Sequence, residues 1–163
     1  MIRKGNPEDL EALLAIWLAA SLQAHDFIEP TFWQSKMEDM RNRYLPSAEI
    51  WVYEQSGAIE GFCALQGDIL AALFVDPENH NQGVGSALLD KAMECSGGRL
   101  EVCVYERNSD AVAFYQRHGF VQIDLRTDMR SGHVELVMLH MRELSDQAQR
   151  EADRDATALL EPS

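Results

Sequence analysis

Apolar residues in this chain recur at two spacings, and the spacing changes along its length. After a short first strand at 1–4, Leu10, Leu13, Leu14, Trp17 and Leu18 follow one another at the period of a helix with one buried face. Asn6 stands where an N-cap belongs, and Pro7 sits at the first helical position, where its missing N–H does no harm. Pro30 opens a second helix with Trp33, Met37, Met40 and Tyr44 along one side, and Pro46 ends it. The pattern then becomes that of strands. Segments 50–55, 59–66 and Ile69–Val75, separated by Ser56 with Gly57 and by Gly67 with Asp68, predict an antiparallel meander. Helical spacing returns in Val84, Leu88, Leu89 and Met93 and stops at Gly97 and Gly98. A strand over 100–105, a short helix over 108–117 ended by Gly119, and strands Val121–Thr127 and Val134–Met141 complete the series. The order is βααβββαβαββ, which belongs to the mixed α/β (α+β) class.

The pattern lapses near the C-terminus. Residues 143–163 hold six acids and two arginines without strong periodicity, so they are expected to form an acidic tail, helical or disordered, beyond a single domain spanning 1–142. The 46% hydrophobic content of the 163 residues is enough for a core. Net charge is −13; the tail carries −4 of it and the body −9. That balance opposes nucleic acid, whose binding rests on many Lys and Arg contacts to phosphate, and it favours a cationic partner. Cys63, Cys95 and Cys103 form no C-x-x-C pair and lie in apolar or helical stretches, so buried thiols, without disulfide or metal, are expected. No apolar run is long enough to span a bilayer and the N-terminus has no secretory pattern, which leads to the expectation of a cytoplasmic protein with no membrane partner.

Chemistry first shows at 80–89, which read H-N-Q-G-V-G-S-A-L-L. A strand, a glycine-rich turn and a helix in succession stack free backbone N–H groups at the positive end of a helix dipole, a site for phosphate. A dinucleotide fingerprint would need Gly or Ala where Leu88 stands, and its first Gly should directly follow the strand rather than come eight residues after Val75. A P-loop would need Gly-Lys-Ser or Gly-Lys-Thr, which is absent. Neither motif fits, and on this turn alone a plain helix entry stands beside the phosphate cradle as a reading.

Residues 108–120 read N-S-D-A-V-A-F-Y-Q-R-H-G-F. This resembles the motif N-x-x-A-x-x-F-Y-x-x-x-G-F of the GCN5-related N-acetyltransferase (GNAT) superfamily, where it follows a turn of form [QR]-x-x-G-x-[GA] by about one helix and one strand. Here the turn is His80-x-x-Gly83-x-Gly85. The resemblance covers 2–142 in element order. The opening half also resembles a bacterial subgroup with a His-x-Phe-Ile segment between its first two helices, matched by His25, Asp26, Phe27 and Ile28. What the resemblance implies is an acyl-CoA N-acyltransferase fold, a central mixed, mostly antiparallel sheet of about seven strands with four helices. It also implies acetyl-CoA as co-substrate, with no metal. Gln82, Gly83, Val84, Gly85 and Ser86 would hold the pyrophosphate through backbone N–H groups. Phe74 and Val75 would pair backbone groups with the pantetheine arm, Asn108 would contact that arm or nearby main chain, and the Tyr115 phenol would face the sulfur. His80 departs from the pattern, since Gln or Arg is usual there, and the loss of a guanidinium weakens that part of the phosphate site.

Amine acetylation sets its own demands. A lysine-like amine with pKa about 10.4 is neutral in only about one molecule in 2,500 at pH 7, a deficit of roughly 4.6 kcal/mol, so a base or a desolvating pocket must strip its proton. A donor must await the oxyanion, plausible at the Val75 amide or its neighbour. A thiolate leaves more readily if protonated, which Tyr115 can do as general acid. Two residues are candidates for the base. Glu101 lies seven residues before Asn108 where relatives carry an acid five before, and it shares a strand face with Cys103. His25 has a suitable pKa and lies on the loop that in the family faces substrate, with Asp26 and Phe27 beside it as substrate-binding candidates. His118, His133 and His140 read as surface, turn or structural residues.

The resulting expectation is an acetyl-CoA-dependent N-acetyltransferase acting by direct transfer on a primary amine, either a protein lysine or N-terminal amine or a small-molecule amine, as monomer or homodimer. A non-catalytic acyl-CoA-binding sensor and, less in keeping with the acidic body, an aminoacyl-tRNA acetyltransferase stay open.

Overall fold

A computed structural model describes residues 1–79 and 83–141. The expected tail, 143–163, and the turn residues His80 and Gln82 lie outside the described residues.

The elements fall where the periodicities put them. Strand β1 is Ile2–Lys4. Asn6 caps a 3-10 turn, Pro7–Asp9, through a reciprocal pair in which its side chain accepts from Glu8 N–H and Asp9 accepts from Asn6 N–H. Helix α1, Leu10–Ala24, follows, then α2, Pro30–Asp39. The expected end of α2 is drawn out into a wide π turn, Met40–Tyr44, closed by Leu45 N–H on Met40 O at 3.1 Å, which delivers Leu45 into the core. Strands β2, Glu49–Gln55, β3, Ala58–Gln66, and β4, Ile69–Val75, form the meander. Helix α3, Val84–Cys95, leads to β5, Arg99–Tyr105; helix α4, Ser109–Arg117, leads to β6, Val121–Thr127, and β7, Val134–Met141.

Seven strands make one sheet in the order β1-β2-β3-β4-β5-β7-β6. Every neighbouring pair is antiparallel except β4 and β5, which are parallel and need the α3 crossover to join them. That pair is in register only at Ile69 with Glu101 and Leu70 with Val102; beyond Leu70 the strands part. The parting is what positions the site.

Two cores flank the sheet. Because strand side chains alternate, Phe62 and Ala64 of β3 pack with Leu13, Leu14, Trp17 and Trp33 under α1 and α2, while Cys63 and Leu65 pack with Val84, Leu88 and Leu89 under α3. In α3 the fully buried residue of the last turn is Ala92 rather than Met93, which packs only partly against the core. A full-sized side chain at Ala92 would lift the helix from the sheet. Gly61 has the same effect on the strand side. A Cβ there would lie 2.9 Å from Phe74 O, 3.0 Å from Val84 Cγ1 and 3.1 Å from Leu88 Cδ1, so glycine lets α3 settle onto β3 and β4.

Candidate active site

The gap between β4 and β5 continues into a cleft of about 1010 Å³. Leu73, Phe74 and Val75 line it from β4, Gly83, Gly85 and Ser86 from the head of α3, and Asn108, Ala111, Phe114 and Tyr115 from the start and body of α4. His25 and Asp26, just past α1, close another side.

Backbone direction along β4 follows from one hydrogen bond. Asp76 N–H donates to Glu60 O on the β3 side at 2.8 Å, and consecutive strand residues point their N–H groups to opposite edges. The Val75 N–H therefore faces the β5 side, where no strand of the described residues accompanies it, and Leu73, two residues back in unbroken register, does the same. This corrects the expectation for Phe74. Its backbone is turned to Phe62 on β3, with the Phe74 O so close to Gly61 that only glycine fits, and its ring packs 5.9 Å from the Phe62 ring. Leu73 takes its place as the second edge residue.

At the head of α3, Gly83 adopts φ +80°, a left-handed conformation natural to glycine, and helical conformation begins at Val84. Val84 itself buries its side chain in the core and is not among the cleft-lining residues. Ser86 Oγ lies 3.2 Å from His118 Nε2, tying the first turn of α3 to the end of α4. Arg107 and Arg117 also line the cleft, with the Arg107 guanidinium 4.9 Å from the centre of the Phe27 ring. Sequence reasoning passed over both. Arg117, two residues after Tyr115 in the recognised helix, carried a legible signal, a cation beside a phosphate turn.

Asn108 holds two places at once. Its Oδ1 caps α4 by accepting from Ala111 N–H at 3.3 Å, and its Nδ2 lies 3.1 Å from His25 Nε2. Tyr115 is 6% exposed, packed between Phe114 and Phe120 with ring centres 5.2 Å away in each case. Burial pushes its phenol well above the ordinary tyrosine range, so it is protonated at any working pH.

The two candidate bases fare less well. Glu101 pairs with Ile69 at the closed end of the β4–β5 gap and lies near Arg99, with 3.9 Å between charged atoms; it is not among the cleft-lining residues. Strand alternation identified its face but not its height along the strand. His25 does line the cleft, yet it is 8% exposed and stacked on Trp33 with centroids 5.0 Å apart, and burial pushes its pKa down to about 4. Its Nε2 is already engaged by Asn108, and its Nδ1 is buried without a partner among the described residues. Asp26 is exposed in the cleft, whereas Phe27 stands outside the lining, in an aromatic cluster with His25, Tyr105 and His133.

A sheet parted between parallel neighbours, with a glycine-entered helix and an Asn-capped helix along the gap, is the architecture of an acyltransferase that binds an extended phosphorylated thioester. Comparison with known proteins agrees. The family model for the acetyltransferase (GNAT) domain matches residues 46–122. The chain is 35% identical over 125 residues to the peptidyl-lysine N-acetyltransferase YiaC of Escherichia coli (76% of this chain, 85% of the relative). It is 36% identical over 121 residues to the peptidyl-lysine N-acetyltransferase YjaB of Salmonella typhimurium (73% and 81%). The solution structure of apo-form YjaB from Escherichia coli superposes with a TM-score of 0.76 at 30% identity, covering 86% of this chain and 96% of that one. The fold is also shared with the PaiA N-acetyltransferase of Thermoplasma acidophilum solved with coenzyme A, at TM-score 0.74 and 20% identity over 86% and 98% of the two chains. The chain belongs to the GCN5-related N-acetyltransferase (GNAT) family. Its activity is acetyl-CoA-dependent N-acetyl transfer. Among the described residues, no helix is long and apolar enough to cross a membrane.

Proposed function

We propose that the enzyme acetylates lysine side chains of proteins or peptides by direct transfer within a ternary complex. The observation that carries this reading is the convergence of Tyr115 and the outward Val75 amide on one cleft whose other end is the head of α3. A lysine acceptor is supported by the two relatives named peptidyl-lysine N-acetyltransferases.

The residues present fit acetyl-CoA. The unaccompanied edge at Leu73 and Val75 suits an arm that pairs as an added strand, and the N–H groups of Gly83, Val84, Gly85 and Ser86 at the head of α3 suit a pyrophosphate. Arg107 and Arg117 add positive charge to an otherwise acidic protein. Acetyl-CoA supplies an activated thioester acyl group. Val75 N–H stabilises the charge that builds on the acyl oxygen, and Tyr115 gives its proton to the departing sulfur. Asp26 attracts the acceptor ammonium to the cleft. With Glu101 at the closed end and the His25 lone pair engaged, the ammonium proton passes to solvent through the open cleft, and the small neutral fraction of amine reacts.

The test is a panel of lysine peptides, N-terminal amines, free amino acids and polyamines, with release of CoA thiol as readout. Lysine peptides should turn over fastest. Turnover of polyamines or N-terminal amines without turnover of lysine peptides overturns the acceptor assignment.

A further inference from the structure

The His25 imidazole has a fixed tautomer, and the fixing agent is Asn108. The Asn108 Oδ1 is committed to the Ala111 N–H at 3.3 Å, so the amide group facing His25 Nε2 at 3.1 Å is Nδ2, which can only donate. Nε2 must therefore accept, and the ring proton of neutral His25 sits on Nδ1. The basic lone pair is thus the one that Asn108 occupies, and Nδ1, which already carries its proton, is sealed from solvent and has no partner among the described residues. The ring cannot turn to offer anything else. Trp33 stacks on it at 5.0 Å with an interplanar angle of 25°, and Phe27 and Tyr105 meet it edge-on at 5.7 and 5.2 Å. Its main chain is held as well, with His25 N–H on Ser21 O at 3.0 Å and Ile28 N–H on His25 O at 3.1 Å.

We propose that His25 is a positioning residue for Asn108. It ties the end of α1 to the start of α4 by accepting one amide hydrogen, leaving the second amide hydrogen of Asn108 for the pantetheine arm and setting where α4 presents Tyr115. The proposal rests on the acetyl-transfer reading of the cleft. It explains why a buried histidine is kept in an aromatic wall: only an aromatic ring stacks there, and only an aza-aromatic one also accepts a hydrogen bond at Nε2. Its neutrality persists across the working pH range because burial opposes the cation. Tyr105, the other titratable ring touching it, directs its own phenol away, to Asp128 at 2.6 Å.

Three measurements test this. Nitrogen-15 NMR of the wild-type imidazole should show Nδ1 protonated and Nε2 bare; a proton on Nε2 overturns the proposal without reference to activity. His25→Gln keeps an acceptor near the Nε2 position, whereas His25→Leu removes it. The leucine variant should lose acetyl-CoA kcat/KM on the order of 10- to 100-fold through misplacement of α4, with the KM for acceptor peptide little changed, and the glutamine variant should recover most of that loss. A base role predicts instead that both variants lose kcat on the order of 10²- to 10⁴-fold with acetyl-CoA binding intact, and that result overturns the proposal. Should the leucine variant not fold, the tautomer and the glutamine variant still decide. If the wild type acetylated no amine at all, the functional reading would fall while the tautomer and acetyl-CoA affinities still reported on the His25–Asn108 link.

Discussion

The Tyr105 phenol donates to Asp128 at 2.6 Å, joining the end of β5 to the hairpin between β6 and β7. Ser131 donates to the same Asp128 oxygen at 2.9 Å, and Arg130 N–H to its partner oxygen at 3.1 Å. Against the cost of burial, these hydrogen bonds hold Asp128 below the ordinary carboxylate range. Burial and the Asp128 contact together push the Tyr105 phenol up. Tyr105→Phe leaves the carboxylate one donor short and frees the hairpin that flanks the aromatic wall. The expected result is a stability loss of about 1–3 kcal/mol by denaturant titration, with acceptor KM raised more than acetyl-CoA KM.

Tyr115 offers a cleaner separation of packing from chemistry. Phenylalanine at 115 keeps the contacts to Phe114 and Phe120 and removes only the hydroxyl. Turnover should fall on the order of 10²-fold or more, while acetyl-CoA affinity and melting temperature change little. An equal loss of affinity and turnover would assign Tyr115 to packing.

Acid should destabilise the protein through His25. Its folded pKa, about 4, lies below the 6.5 of the unfolded chain, so between those values the unfolded state binds the extra proton and stability falls as pH falls. The decline begins near pH 6.5 and is complete near 4, with a size of about 3 kcal/mol for one such group. Melting curves across that window should show it, and His25→Gln should flatten it. The same group makes no step in the pH–rate profile above pH 5, where it is neutral throughout. There the rate should climb with the neutral fraction of the amine, and a plateau setting in near pH 6 to 7 would point to a base other than His25 or Glu101.

Two glycines near α3 should respond in opposite ways. Gly61→Ala drives a methyl against Phe74 O, Val84 and Leu88 and should cost about 1–3 kcal/mol together with weakened acetyl-CoA binding, as α3 is pushed off the sheet. At Gly85 the nearest atoms, of Phe114 and Val75, are 3.6 Å from a built Cβ, an ordinary contact. Gly85→Ala should leave the melting temperature equal to or above wild type, since alanine favours the helix. Thermal unfolding of the two variants side by side checks both statements.

The chain's periodicities were enough to read its fold because each element is locally consistent: Asn6 and Pro7 open a helix, Gly57 and Gly67 turn the meander, and β3 is apolar on both faces. The helix entry at Gly83 and the helix capped by Asn108 were legible for the same reason, as local signals in local sequence. Glu101, His25 and Phe74 were not. The height of Glu101 depends on its parallel register with Ile69, a pairing set by the α3 crossover. The engaged lone pair of His25 depends on a residue 83 positions away. The backbone direction of Phe74 turns on a parity that only the β3 register fixes. Each is a long-range relation that alternation within one strand or loop cannot carry.

The narrow junction between β4 and β5 divides the sheet into two leaves, β1 to β4 on one side and β5, β7 and β6 on the other, stitched directly at two ladder positions. An arm laid along Leu73 and Val75 is then more than a ligand in a groove: it lengthens the seam that holds the leaves together. Occupancy of the cleft becomes a mechanical property of the whole molecule. Acetyl-CoA binding should therefore stiffen the body that the acceptor meets, and amide-hydrogen exchange along both leaves should slow when it is added.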